Sequence, residues 1–248
     1  MSLPSQVNLT FRIFDDVGMS IIARKFVRDC QLSTESELCE QYRVSRTILR
    51  EAIKMLAAKG LIASRPGCGT WVQPEDEWNV IDPDVLRWLI RGGGCSWVLG
   101  DLKQVRLAIE PHAAALAARA LSGARERELR SAICRQDDRA LADWGEIVDR
   151  EAALNDAYAR LEAAMSGDGD PTRTSLGFHR AVMRASGNRF FNLLGGVIET
   201  ALLSDVSGCA LPPCIAIAGY RKVLDAILGG DQELAESGMV QLITANGA

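Results

Sequence analysis

The stretch from Thr34 to Val72 restricts the fold more than any other part of the chain. Thr34-Glu35-Ser36-Glu37 has the form of a capping box, in which a hydroxyl accepts from the backbone three residues on and a carboxylate reaches back. A helix is expected to start there, run to about Tyr42 and end in the short turn Arg43-Val44. Ser45 is a second N-cap, and the helix it opens, Arg46 to Lys59, meets Gly60, the residue that best tolerates a left-handed helix end. On this second helix Ile48, Leu49, Ala52, Ile53 and Leu56 form one apolar stripe, while Arg46, Thr47, Arg50 and Lys54 fall on the other side. Leu61 to Val72 then reads as two strands around the Gly-rich tip Gly67-Cys68-Gly69. Helix, tight turn, a second helix that is polar and basic at its start, and a wing together describe a winged helix-turn-helix.

That motif accounts for less than a third of the 248 residues, and the remainder has a different texture. From about Asp82 the chain is rich in Ala and Leu with a 3.6-residue apolar period. The polar segment Gln73-Pro74-Glu75-Asp76-Glu77 reads as the linker, so two domains are expected: residues 1–75, a linker over about 73–81, and an all-helical domain over 82–248. Helices are expected at about 82–91, 97–121, 124–142, 146–165, 171–186, 188–206, 214–228 and 231–244. The breakers are Gly92-Gly93-Gly94, Ser122-Gly123, Gly167 to Pro171, and Leu211-Pro212-Pro213. The fold class is therefore mainly α, a winged helix-turn-helix followed by an antiparallel helical bundle.

Charge divides along the same boundary. Residues 1–75 hold ten Lys and Arg against eight Asp and Glu, whereas residues 76–248 hold eighteen against twenty-four. A slightly basic module joined to an acidic one suits a nucleic-acid-facing domain and a partner domain. The seven cysteines are odd in number and never spaced C-x-x-C, which points to reduced thiols and not to disulfides or a zinc knuckle. No phosphate loop, nucleophile elbow, dinucleotide fingerprint or H-E-x-x-H is present, and the chain holds two histidines, so no enzyme activity and no catalytic residue is expected. No apolar run reaches the ~20 residues that span a bilayer. The N-terminal stretch is acidic where a secretory core would lie. A cytoplasmic protein with no membrane partner is expected.

On an isolated helix, Arg46 and Arg50 would be an ordinary solvated face. Their setting is not ordinary. The string E-L-C-E-Q-Y-R-V-S-R-T-I-L-R-E-A-I-K-M-L-A-A-K-G-L-I followed by G-C-G-T-W-V resembles the winged helix of the GntR superfamily over about residues 11–72. The resemblance implies that Ser45, Arg46, Thr47, Arg50 and Lys54 face the major groove, with Arg65, Gly67 and Gly69 in the wing. It also implies a palindromic double-stranded operator bound by a homodimer. The lead-in turn departs from the family pattern: Arg24 to Glu35 keeps the length but lacks its glycines and prolines, and Ser36 stands where relatives carry a DNA-contacting arginine.

Residues 82–245 resemble the FCD domain of the FadR branch. The landmarks are Val105-Arg106-Leu107-Ala108-Ile109-Glu110-Pro111, Phe178-His179-Arg180-Ala181-Val182, Ala185-Ser186-Gly187-Asn188 and Leu224-Asp225-Ala226-Ile227. Trp78 to Trp88 is similar to a segment of galactonate-operon-type repressors, which answer a sugar acid. The resemblance implies a small carboxylate or sugar-acid effector. Arg106 is the candidate clamp, since a guanidinium suits a carboxylate best, with Glu110, Ser175, His179 and Tyr220 beside it. Arg106 and Glu110 could equally form a structural i,i+4 pair, and His179 a satisfied core histidine. His112 lies elsewhere around its helix and is read as non-functional. Family members that hold a divalent metal use an aspartate and two further histidines; here those positions are Ser175, Tyr220 and about Leu242. Neither metal nor other cofactor is expected. The stretch from Cys134 to Met165 exceeds the family length, with Trp144, Ile147, Val148, Leu154 and Leu161 available for burial. The reading is thus a repressor of a sugar-acid or small-carboxylate operon, released by its effector. The alternative is an all-α ligand-binding or interaction protein whose winged helix no longer binds DNA.

Overall fold

The computed structural model describes residues 6–23, 32–65, 69–92, 96–133, 138–204 and 217–245. The elements run α1 (Gln6–Ile22), α2 (Glu35–Tyr42), α3 (Arg46–Ala58), β1 (Ile62–Arg65), β2 (Gly69–Val72), α4 (Pro83–Arg91), α5 (Ser96–Ile133), α6 (Asp138–Met165), α7 (Pro171–Ala185), α8 (Arg189–Ser204), α9 (Ile217–Gly229) and α10 (Gln232–Ala245). Contacts divide the chain into two units after Val98.

In the first unit both expected caps form. Thr34 accepts from the Glu37 amide while the Glu37 carboxylate accepts from the Thr34 amide at 2.8 Å, and Ser45 caps α3. Between them Arg43 takes the left-handed conformation at φ 53°, which reverses the chain without a glycine. The apolar stripe of α3 packs inward: Leu49, Ala52 and Leu56 are fully buried beside Ile13, Phe14 and Val17 of α1 and Leu38 of α2. β1 and β2 are antiparallel, with Ile62 opposite Val72 and Arg65 opposite Gly69. Arg43, Gly60 and Gly69 all have positive φ, and the last sits at the wing tip.

The sequence boundary at residue 82 assigned α4 to the second domain, but its contacts belong to the first. Trp88 is fully buried, its ring 4.9 Å from that of Phe14, and its indole N–H donates to Asp15 at 2.7 Å. Gly18 makes room for it, since a Cβ there would lie 2.4 Å from the indole. Asp82 caps α4 by accepting from the Asp84 amide, and Pro83 follows at a position where no amide is needed. Asp82 also takes Lys59, at the end of α3, at 2.6 Å, and Asp84 takes it at 3.0 Å. Burial alone would lower the Lys59 pKa, but the two carboxylates outweigh it and the net direction is upward.

The second unit is a bundle whose core joins Ala114, Ala117 and Leu121 of α5, Leu154 and Leu161 of α6, Phe178 and Val182 of α7, Tyr220 and Ile227 of α9, and Met239 and Ile243 of α10. The alanines of α5 let neighbouring helices approach closely. Ser122-Gly123 does not break the bundle's long helix: α5 runs on to Ile133. The reason lies in the neighbouring turn, where Gly230 (φ +79°) approaches so near that an added Cβ would stand 2.6 Å from the Ser122 Cβ. The small residue at 122 serves that approach. The expected break after 142 is likewise absent, because α6 spans Asp138–Met165. Leu154 and Leu161 are buried as the sequence suggests, but Val148 is exposed, and the side chains of Trp144 and Ile147 lie outside those described. The Leu211-Pro212-Pro213 breaker also lies outside the described residues. Asp170, Asn188 and Asp231 accept from the first-turn amides of α7, α8 and α10. No described helix is long and apolar enough to cross a membrane.

Candidate functional site

Two polar arrangements stand out, one in each unit. In the first, the cap at Ser45 turns the N-terminal end of α3 outward, so that Arg46, Thr47, Arg50 and Lys54 are all exposed on one side of the helix. Arg50 is engaged: its guanidinium meets the Glu35 carboxylate in a forked pair, Nε to Oε1 at 3.1 Å and Nη2 to Oε2 at 3.1 Å. Lys54 pairs with Glu51 at 2.8 Å. The sequence reading missed Glu35 as a partner, because the pair bridges two helices and follows from their crossing, not from any spacing. Gly69 is exposed at the wing, where the Ser64 and Thr70 hydroxyls lie 3.4 Å apart across the hairpin. The Arg65 side chain, Gly67, and the lead-in turn from Arg24 to Gln31 lie outside the described residues.

In the second unit the residues expected around an effector come together. Arg106 and Glu110 are one turn apart on α5, Ser175 and His179 one turn apart on α7, and Tyr220 enters from α9; all five are buried. Arg106 Nε donates to Glu110 Oε1 at 2.6 Å, and the other Glu110 oxygen is 2.6 Å from His179 Nδ1. His179 Nε2 is 3.5 Å from the Tyr220 hydroxyl, which is 3.0 Å from Ser175 Oγ. A hydrogen-bonded chain thus crosses three helices, from guanidinium to carboxylate to imidazole to two hydroxyls. Burial pushes the Glu110 pKa up, but His179 and Arg106 outweigh it and hold it down at about 2. Glu110 is therefore an anion held between a cation and an imidazole. Aromatic rings wall the cluster, with Phe178 and Tyr220 5.3 Å apart and close to perpendicular.

The i,i+4 pair of Arg106 with Glu110 and the proximity of His179 are therefore both present, and Glu110 is the hub that joins them. The space left beside these groups, toward Arg180, Gly195 and Glu199, is about 10 Å³, room for one water. His112 is exposed, with its ring against Phe191. As metal donors the cluster offers one carboxylate and one imidazole, already bonded to each other with a guanidinium on the far side. A first-row divalent ion normally takes three or more protein ligands of imidazole, carboxylate or thiolate type.

A winged helix-turn-helix followed by an all-helical bundle with a polar cluster at its heart is the architecture of a two-domain transcription regulator. Residues 9–72 match the family described as "Bacterial regulatory proteins, gntR family", and residues 146–245 match the FCD domain. The chain belongs to the GntR family and carries an FCD domain. It is 32% identical over 240 residues to the galactonate operon transcriptional repressor of Escherichia coli (strain K12), covering 97% of this chain and 96% of that one. It is 25% identical to the uncharacterized HTH-type transcriptional regulator YieP of the same organism, over 94% of this chain and 91% of that one. A solved structure described as "Lar controls the expression of the Listeria monocytogenes agr system and mediates virulence" superposes with a TM-score of 0.51 over 98% of this chain and 95% of that chain, at 15% identity, a likeness of fold.

Proposed function

We propose that this regulator is a homodimeric repressor that holds a palindromic operator through Ser45, Arg46, Thr47, Arg50, Lys54, Arg65, Gly67 and Gly69, and lets go when a small carboxylate or sugar acid binds the second domain. Two half-sites multiply the discrimination of one small winged helix, which is the physical case for a dimer. The observation that carries the effector half is the buried chain Arg106–Glu110–His179–Tyr220–Ser175, since charged groups are seldom taken out of water without a task that needs them. A guanidinium and an imidazole suit the carboxylate, two hydroxyls suit a polyol, and the site works without a metal. The similarity to a galactonate operon transcriptional repressor supports a sugar acid as the first ligand to try.

Room for one water cannot admit such a ligand, so binding must part the helices that carry the cluster. A ligand that binds only the parted state shifts the protein toward it, and that shift is what releases the operator. The test is a gel shift against the promoter region beside the gene, at fixed salt, with a panel of aldonic acids that includes galactonate. The parent and Arg106→Ala are expected to bind DNA alike, and Arg106→Ala to lose release by the acid; Arg46→Ala is expected to bind more weakly by about five-fold or more, as one good base contact is worth ~1–3 kcal/mol. Release of Arg106→Ala at the parent's acid concentration would place the carboxylate elsewhere, and an unchanged Arg46→Ala would remove the recognition-helix assignment.

A further inference from the structure

A groove of about 480 Å³ runs between α6 and α7, separate from the small space beside Glu110. Its floor is made of small residues, Ala157 of α6 with Gly177 and Ala181 of α7, and its rim carries four arginines, Arg160, Arg173, Arg180 and Arg184, against one carboxylate, Glu199. Residues 99–248 hold sixteen Lys and Arg against twenty Asp and Glu, so four arginines around one groove run against the balance of their own domain. Arg173, Gly177, Arg180 and Arg184 fall at i, i+4, i+7 and i+11, one face of α7, where a rise of about 1.5 Å per residue spaces the backbone positions of Arg180 and Arg184 by about 6 Å along the helix axis and those of Arg173 and Arg180 by about 10 Å. Arg160 pairs with Asp156 on its own helix, and Arg180 with Glu199 at 2.7 Å. Among the described residues no carboxylate pairs with Arg173 or Arg184.

We propose that this groove binds a small molecule carrying two or more anionic groups, carboxylate or phosphate, at a site distinct from the Arg106 cluster. Its size is that of a ligand site (about 300–1,000 Å³), its floor lacks the bulk that would fill it, and arginines one helical turn apart on α7 suit two anionic groups on one compact molecule. Arginine in place of lysine favours the planar, two-pronged contact that carboxylate and phosphate make. Arg180 gives the site a route to the interior. Its guanidinium lies against the α8 backbone, where a Cβ on Gly196 would stand 3.2 Å from Nη1, and both Arg180 and Glu199 also wall the small space beside Glu110. An anion in the groove competes with Glu199 for Arg180 and so loosens that wall.

Titration calorimetry on the full chain, with citrate and with pyrophosphate as probes and sodium chloride matched for ionic strength, tests this. At least one probe is expected to bind saturably, one per chain, with citrate alone identifying a carboxylate site and pyrophosphate alone a phosphate site. Arg173→Ala/Arg184→Ala is expected to weaken that binding by about ten-fold or more while Arg106→Ala leaves it within about three-fold, two lost charge-assisted contacts against none. The proposal is overturned by no saturable binding of either probe, by equal affinity in the double variant, or by loss of binding in Arg106→Ala, which would put the probe in the buried cluster. A fall in operator affinity of the double variant without any probe would also overturn it, assigning the arginines to DNA phosphates. Because Arg106→Ala must keep the probe here, failure of the effector reading and failure of this one give different results.

Discussion

Glu110 and Glu35 are both carboxylates paired with arginine, yet burial gives them opposite weight. Glu35 and Arg50 stand in water at 47% and 59% exposure, so solvent screens their pair and holds it weakly. Glu110 is 2% exposed and ionised between Arg106 and His179. Its pKa lies near 2 in the folded protein against 4.5 for a free glutamate, so its contribution is full above pH about 4.5 and is lost as the pH falls toward 2. At roughly 1.4 kcal/mol per unit this amounts to roughly 3 kcal/mol. Acid melts followed by circular dichroism should therefore show the parent losing stability through that window, and Glu110→Gln losing much less of it while starting lower at pH 7. Equal slopes in the two proteins would mean that Glu110 is not the group being titrated. The cluster's membership was readable from the chain because the landmark strings hold Arg106, Glu110 and His179 and the family's metal-ligand positions fall on Ser175 and Tyr220; its wiring was not. Nothing in the spacing of Arg106 and Glu110 told whether His179, 69 positions away, would close on the same carboxylate.

At the scale of elements, local signals carried furthest where a cap or a left-handed residue was involved. The capping box at Thr34, the Ser45 cap and the Gly60 stop each set a helix end by hydrogen bonds among neighbours, and each was legible. Ser122-Gly123 misled because the same small residues that end an exposed helix also allow another chain segment to press on a buried one. Gly60 itself does both. At φ +78° it takes a conformation costly to other residues, and the Glu77 carbonyl crosses so close that an added Cβ would meet it. Gly60→Ala is expected to destabilise the first unit by about 2 kcal/mol or more, of which left-handed strain supplies about 1–2. Urea unfolding followed by tryptophan fluorescence measures it, and a change under about 0.5 kcal/mol would show that the 77 crossing gives way freely.

Across the whole molecule, the polar segment after Val72 looks in the sequence like the seam between domains, and the contacts put the seam some twenty-five residues later. Polar, proline-containing composition marks where a chain runs over a surface, which is not always where one core stops and the next begins. Here residues 75–82 wrap past the end of α3 and deliver α4 to the open side of α1, closing the first core with Trp88. This has a practical consequence for anyone grafting the reading head onto another sensor, or studying it alone. A fragment ending at residue 75 leaves Phe14 and Gly18 facing water and strips Lys59 of both its acidic partners, whereas one ending at residue 98 keeps them. The longer piece should melt cooperatively and the shorter one should not, and a cooperative melt of 1–75 at a matching temperature would make α4 dispensable. If the longer piece alone stands, the unit that natural recombination can exchange between regulators of this build carries its own α4 with it, and hybrids spliced at the apparent linker would fail for want of one tryptophan.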